Sequence, residues 1–450
     1  NIRSILLDKK NRLWLGSGDS GLILFDLING VQRYFESTID DLSSICSNTI
    51  NDIFQDSDGY IYFATDGGLC EWDENTNSFI RYIHNESNSA SLTEGLVLSL
   101  FQDQGGVLWV GTFVGISKWN RSVNSFQLVN SKTPTGKDLS SDVVYSFAEA
   151  QNGDLYIGTW GEGINVIDVD ESNISYIKAQ PGVTGALQDD RITTLLIDSK
   201  QNLWVGTGRN GLHFRKKGTH KFILYQHDPT DDTTLSSNKI SKILEIGNGN
   251  FAVGTYGGGI NILNSSGKIQ RFEHDENNKT SISNNRIMHM VEGDNNTIWV
   301  ATNGGGLNQF DLATKEFVNF PVESTVILSI LLTDKDLWFS TSDRGVGRIS
   351  TTDLKNGIFN FEYTGESQGL AANFAYGLLS DEAGYIWVST TKGISFISPE
   401  NNKVSNFNIN HGLQGEDFNS SAFFKGKEGR MFFGGANGFN TFISNKIPLN

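Results

Sequence analysis

Apolar runs and polar turns follow one another along this chain in a fixed order. "ITTLLID" (192–198) is an apolar run, "SKQN" a polar turn, and "LWVGT" (203–207) a second run with an aromatic in its second position. Glycines come next, then a third run, seen elsewhere as "GLILFD" or "GGINIL". A fourth, such as "KFILYQ", ends in a long Ser/Asn/Asp loop. Short apolar runs bounded by Gly, Asn, Asp and Ser predict β-strands joined by tight turns. The order recurs. Its second run begins at Leu13, Ile61, Leu108, Leu155, Leu203, Phe251, Ile298, Leu337, Ile386 and Met431, mostly 47 or 48 residues apart, with one step of 39. The following residue is Trp14, Tyr62, Trp109, Tyr156, Trp204, Ala252, Trp299, Trp338, Trp387 or Phe432, aromatic in nine of the ten copies.

Four short strands in a period of about 47 residues are the arithmetic of a β-propeller blade. One blade cannot bury both of its faces, so neighbours must stack. The fold class is therefore all-β, a β-propeller built from ten four-stranded blades. Large aromatics at a fixed place on the second strand suit burial between blades, which predicts that Trp14, Trp109, Trp204, Trp299, Trp338 and Trp387 are covered. The last copy, "MFFGGANGFNTFISNKI", has three strands and no obvious fourth. An unpaired edge invites association, and a propeller closes by taking a strand from its own start. The first copy opens on an innermost strand and has none to spare, whereas "SFQLVN" (125–130), the outer strand of the third copy, can serve. Residues 125–450 are thus expected to form a seven-bladed propeller, and residues 1–124 the last three blades of a preceding, truncated one. A single ten-bladed ring is the alternative.

Composition narrows the class. The 450 residues include 49 glycines and only 6 prolines, and 11% are aromatic, enough for a large core. A formal charge of −16 argues against nucleic acid and anionic membranes as partners, because phosphate binding needs a basic footprint. Cys46 and Cys70 fit neither a disulfide scaffold nor a zinc site and leave the redox compartment open. No apolar stretch is long enough to span a membrane. The chain opens "NIRSILLD", without Met or signal peptide, as expected of a piece of a longer protein.

Tempting motifs dissolve in the repeat. "LWVGTGRNGL" contains Gly206, Gly208 and Gly211 in the G-x-G-x-x-G spacing of a dinucleotide site. The "GLHFRKKG" that follows offers no helix to face phosphates. Sister copies have "GTWGEG", "GTYGGG" and "ATNGGG" here, so Gly206 and Gly211 read as hairpin glycines with positive φ. "DSDGY" (56–60) resembles the start of a calcium loop but lacks the later ligands. The seven histidines are scattered without metal spacing, and no G-x-S-x-G elbow occurs. No cofactor, metal or catalytic constellation is expected.

The pattern I-x-x-I-x-x-D-x-x-G-x-L-W-V-G-T-x-x-G-G-L-x-x-F-D, as in "DDRITTLLIDSKQNLWVGTGRNGL" and "SNNRIMHMVEGDNNTIWVATNGGGLNQFD", resembles the two-component regulator propeller repeat. The tail from "IWVSTTKGISF" to "FNTFISNKI" is similar to the last two blades of that family's membrane-distal sensor region. The resemblance covers essentially the whole chain. It implies the periplasmic part of a sensor histidine kinase, hybrid systems included, in a receptor that is a homodimer at full length. In such proteins an immunoglobulin-like domain, a transmembrane helix and the kinase follow, and "NKIPLN" falls about where the first of these would start. Carbohydrates, especially oligosaccharides, are the ligand class the resemblance implies. It supplies no shared set of binding residues.

Three functions are open to such a chain: a ligand-sensing ectodomain, a propeller enzyme such as a glycosidase or lyase, or a scaffold for dimer contacts. Fold alone does not choose among them. The absence of a standout acid, nucleophile or metal cluster favours a non-enzymatic sensor. Its ligand residues are sought in the hairpins between second and third strands, on the face shared with the long inter-blade loops. Most copies carry only Gly, Ser or Thr there, as a turn requires. Trp160 and Glu162 in "TWGEG", Arg209 and Asn210 in "TGRNG", Tyr256 in "TYGGG", Asn303 in "TNGGG" and Arg344 in "TSDRG" depart from that rule. Aromatic platforms beside convergent polar groups are what a sugar site requires.

Overall fold

The computed structural model describes residues 1–38, 41, 43–57, 59–74, 76–84, 91–103, 107–119, 126–132, 138–170, 173–247 and 249–447. The chain divides into two compact units, Asn1–Val123 and Asn124–Asn450. All ten repeats fold as antiparallel sheets; nine have four strands and the sheet starting at Val97 has three among the described residues. Unit 1 holds three sheets, with first strands Ile2–Leu7, Ile50–Gln55 and Val97–Gln102 packed in succession.

Unit 2 is a closed ring of seven blades. Their first strands, Val144–Glu149, Ile192–Ile197, Ile240–Ile246, Ile287–Glu292, Ile327–Leu332, Ala375–Ser380 and Phe418–Lys425, each lie beside the next, and the seventh returns to the first. The seventh blade takes its outer strand, Gln127–Val129, from the start of the unit, with Gln127 opposite Thr441, Leu128 opposite Asn440 and Val129 opposite Phe439. Phe126 seals the seam against Phe442, ring centroids 4.7 Å apart. Ser125 of the "SFQLVN" segment lies outside the described residues.

The repeat's glycine has a packing role that corrects the hairpin reading of Gly206. Gly206 lies inside strand Leu203–Thr207. A Cβ there would stand 2.5 Å from Thr194 Cγ2 and 2.7 Å from Ile240 Cγ2 of the next blade. Gly16 meets Ile50, Gly158 meets Ile192 and Gly254 meets Ile287 in the same way, and Gly434 meets Val144 across the ring closure. In these five blades the glycine leaves a notch that seats the first apolar residue of the next blade, whereas Ala64, Ala301, Ser340 and Ser389 hold the same strand position in others. Gly211 does turn the hairpin, at φ +84°. Gly206→Ala is expected to cost about 1–3 kcal/mol by overpacking; an unchanged urea midpoint would refute the notch.

Five of the six tryptophans expected between blades are buried: Trp14, Trp204, Trp299, Trp338 and Trp387. Trp109 is not. It is only half-buried, because it belongs to the last sheet of unit 1, where no further blade of that unit follows. The Lys118 ammonium stands 4.7 Å from its ring centroid. The turn aspartate six residues earlier accepts the indole N–H: Asp8 for Trp14 (2.9 Å), Asp103 for Trp109 (2.8 Å), Asp198 for Trp204 (2.9 Å) and Asp381 for Trp387 (3.0 Å). Asp56, in the stretch that resembled a calcium loop, accepts from the Tyr62 hydroxyl instead.

The cysteines also depart from the expectation. Cys46, before the first strand of the second sheet, and Cys70, on its third strand, form a disulfide with Cα atoms 6.1 Å apart. Their separation of 24 residues resembled no scaffold pattern. The blade fold brings them together, since its third strand returns beside the loop that enters the blade.

Candidate functional site

The hairpins between second and third strands are built alike, which fixes where their variable residues stand. A buried threonine ends the second strand and donates its hydroxyl to the glycine carbonyl across the turn: Thr159 to Gly163, Thr207 to Gly211, Thr255 to Gly259 and Thr302 to Gly306, each at 2.9 Å. The residue after the threonine is then held by its backbone. The N–H groups of Trp160, Gly208, Tyr256 and Asn303 donate at 2.9 Å to the carbonyls of Val143, Arg191, Lys239 and Arg286, which precede the first strands of their own blades. Trp160, Tyr256 and Asn303 also form isolated bridges to Arg191, Arg286 and Val326 of the next blade. The result is a rim along one mouth of the ring, in two backbone-linked runs, Val143 to Gly208 and Lys239 to Val326. In order it runs Val143, Trp160, Arg191, Gly208, Lys239, Tyr256, Arg286, Asn303 and Val326.

Side chains fill this rim in an ordered way. Trp160 is exposed and stacks at 4.9 Å between centroids on Tyr145, while its ring edge approaches the Gly208 position. Exposed Tyr256 lies under the Arg286 guanidinium, 5.6 Å from the ring centroid, and its hydroxyl accepts from Asn303 Nδ2 at 3.4 Å. On the sixth and seventh blades Phe374 packs on Tyr376, whose hydroxyl donates to Asp417 at 2.8 Å. Burial and that hydrogen bond hold the Tyr376 hydroxyl well above the ordinary tyrosine range.

Deeper in the channel, Phe423 and His289 meet with ring centroids 5.3 Å apart, although their blades are not neighbours. Phe423 reaches that far because three extra residues bulge from its strand between Phe418 and Phe423, which pair with Gly435 and Phe433. It covers the space that a Cβ on Gly377 would need. His289 Nδ1 accepts from Ile330 N–H, and burial with nearby Lys242 keeps the imidazole neutral, its pKa well below the usual value. Burial alone lowers the Lys242 ammonium to about 8.

Of the seven residues singled out from the sequence, Trp160, Tyr256 and Asn303 belong to the rim. Arg209 is exposed and makes no side-chain hydrogen bond or ion pair among the described residues. The other three are tied down farther out. Glu162 pairs with Lys178 at 2.7 Å, Arg344 pairs with Glu323 at 2.7 Å over the Tyr363 ring, and Asn210 donates to the Gln188 carbonyl at 2.8 Å. None of the seven lines the described cavities. A cavity of about 400 Å³ at the ring seam, lined in part by Glu149, Asn152, Asp168 and Lys427, opens by the turns between first and second strands, at the opposite end of the blades. So does one of about 430 Å³ between the first two blades.

Sequence reasoning found the hairpin half of the rim and missed the other half. Arg191, Lys239 and Arg286 come from the residue before the first strand, in "DRI", "NKI" and "NRI". A basic residue at that place in three successive copies was the available signal.

The model of the two component regulator propeller matches residues 44–67, 138–161, 186–209 and 281–304. Each match runs from the loop before a first strand to the hairpin between second and third strands. The chain carries two component regulator propeller repeats. They occur in both units, and the matching model is that of a regulator repeat rather than of an enzyme. No curated protein matches the sequence. Among solved structures, the chain is similar to the extracellular domain of a B. thetaiotaomicron protein named as a hybrid two component system, with a TM-score of 0.66 and 20% identity, over 98% of this chain and 61% of that one. A second B. thetaiotaomicron extracellular domain, named as that of a one component system, gives a TM-score of 0.58 and 21% identity over 99% of this chain and 57% of the other. The chain thus spans about three-fifths of these two domains. Streptogramin B lyase shares the fold at a TM-score of 0.54 and 18% identity, over 72% of this chain and 99% of the lyase. At these identities the likeness is one of fold.

Proposed function

We propose that the regulator propeller repeats of this chain form the ligand-sensing part of an extracytoplasmic two-component receptor, and that the hairpin face of unit 2 receives an oligosaccharide. The observation that carries this reading is the regulator repeat itself, present in both units. The fold shared with extracellular domains named as parts of such systems supports it. So does the Cys46–Cys70 disulfide, since such bonds persist in oxidising compartments like the periplasm. Unit 1 would contribute three blades of a second propeller, and a kinase reached through a membrane helix would read out a homodimer. No helix among the described residues is long and apolar enough to cross a membrane. Trp160 and Tyr256 are the stacking platforms, with Arg209 and Asn303 as hydrogen-bonding groups; Glu162, Asn210 and Arg344 shape the outer hairpins.

The test is a panel of neutral and acidic oligosaccharides, scored together for thermal shift and product release. Binding without turnover is the expected result. Turnover would make the chain an enzyme, and neither binding nor turnover would leave a scaffold. For a ligand that binds, Trp160→Ala is expected to raise Kd by about tenfold, as loss of an aromatic platform worth 1–2 kcal/mol does. If Trp160→Ala and Arg209→Ala both leave Kd unchanged in a folded protein, this face is not the site.

A further inference from the structure

The repeat breaks its own rules on both walls of one groove in unit 2. The third-strand residue paired with the start of the second strand's apolar run is buried and apolar in six of the seven blades. It is Ile167, Leu263, Phe310, Ile349, Ile397 or Phe442, packed against the preceding blade. In the second blade it is Arg215, opposite Leu203. The guanidinium lies 5.4 Å from the Phe222 ring centroid and shares a hydrogen bond with the Tyr156 hydroxyl of the first blade. Tyr156 itself stands where four blades of the unit carry tryptophan. The residue after Arg215 departs as well. Asp168, Asn264, Asp311 and Ser350 at this place accept N–H groups of their own turns. The second blade has Lys216 there, then Lys217. Its turn is held by the Lys216 carbonyl, which accepts from the Thr219 hydroxyl at 2.8 Å, and both lysines are exposed.

The groove between these walls has a volume of about 430 Å³ and opens at the end of the blades opposite the hairpins. Small-molecule sites fall in this size range. Tyr156, Asp154 and Gln201 line it together with Arg215, Lys216 and Lys217, the one run of three basic residues in a chain of net charge −16. Among the described residues no carboxylate pairs with any of the three. Burial pushes the Arg215 pKa down, and the Tyr156 hydroxyl opposes that shift. A half-buried guanidinium without a counter-ion is costly, and an apolar residue, as in the sister blades, would avoid the cost. The cavity at the ring seam has Asp168 where this groove has Lys216. Here the single lining carboxylate, Asp154, accepts from Asn152 Nδ2 at 2.7 Å. The three cations therefore outnumber it by two. A phosphate monoester carries a charge of about −1.5 to −2 and several oxygens for a guanidinium fork, whereas a carboxylate carries one charge.

We propose that the groove between the first two blades of unit 2 binds a phosphate group, free or carried by a small molecule. Arg215 is its central donor, oriented by the Tyr156 hydroxyl, and the exposed Lys216 and Lys217 supply charge at the mouth. The site is separate from the hairpin face, because it opens at the other end of the blades.

The experiment titrates the full chain calorimetrically, at constant ionic strength, with inorganic phosphate, glucose 6-phosphate and glucuronate. At least one phosphate is expected to bind about tenfold or more tightly than glucuronate. The tighter of the two shows whether the group is free or esterified. Arg215→Met is expected to weaken that binding about tenfold or more without lowering Tm, since the sister blades fill this position with apolar side chains. The Lys216→Ala/Lys217→Ala double variant is expected to weaken it about threefold or more, as loss of exposed charge does. Its fold is not at risk, because neither side chain makes a hydrogen bond or ion pair among the described residues. Trp160→Ala, on the hairpin face, leaves phosphate affinity unchanged. Binding of no probe, glucuronate as tight as both phosphates, or phosphate binding that survives Arg215→Met overturns the site. So does a lower Tm for Arg215→Met together with unchanged phosphate affinity in the lysine variant, which would assign Arg215 to packing. The sensor reading stands in each case, since it is tested by the oligosaccharide panel.

Discussion

Replacing Trp204 with alanine lowers the unfolding free energy of the seven-bladed unit by about 3–5 kcal/mol. Its indole is 4% exposed and bridges two blades, with ring centroids 4.5 Å from Phe214 of its own blade and 4.3 Å from Phe251 of the next. Truncation removes a large transfer term and opens a cavity that two stiff sheets cannot collapse to fill. It also takes away the indole N–H donor to Asp198 Oδ2, leaving that oxygen to the Asn202 side-chain amide. Trp109→Ala serves as the internal control. The residue is half-buried and has no following blade in its unit, so its loss costs distinctly less. Urea denaturation of both variants, followed by tryptophan emission and far-ultraviolet circular dichroism, reads the difference. Equal destabilisation would mean that inter-blade burial is not what these tryptophans provide.

Reducing the Cys46–Cys70 bond is expected to destabilise unit 1 by about 3.5 kcal/mol, the chain-entropy value for a closed loop of this size. The bond fastens the loop entering the second sheet to that sheet's third strand, in a unit of only three sheets. A small core gains most from such a staple. The measurement compares thermal unfolding of the wild type, with and without a phosphine reductant, against a Cys46→Ser/Cys70→Ser double variant. Reductant is expected to lower the unit 1 transition to that of the double variant and to leave the double variant unmoved. An unchanged transition in both would remove the stabilising role, and with it one support for an oxidising compartment.

How far the sequence could be read depended on whether a residue's partner lies at a fixed offset. The strand pattern and the indole acceptors do. Asp198 and Trp204 are six residues apart in one turn, and the period carries the same pair to Asp8 and Trp14 and to Asp381 and Trp387. Gly206 was legible as a special position but not as the right kind, since its reason is Ile240, a residue of the next blade. The rim divides in the same way. Trp160, Tyr256 and Asn303 interrupt a glycine hairpin, so they stand out locally. Lys239 and Arg286 precede ordinary strands and gain meaning only because the hairpin residues bond to those positions.

The repeat by itself determined that the chain is all-β, that its unit is a four-stranded blade, and that its last copy lacks an outer strand. These are properties of the period and of hydrogen bonds made within about 50 residues. Closure around an axis decided the rest. Only the ring brings Phe423 against His289 across the channel and sets Val144 in the notch of Gly434. The physical reason is that a blade's own contacts repeat with the sequence. Contacts across the axis join residues from different copies at no fixed spacing, and no local pattern encodes them.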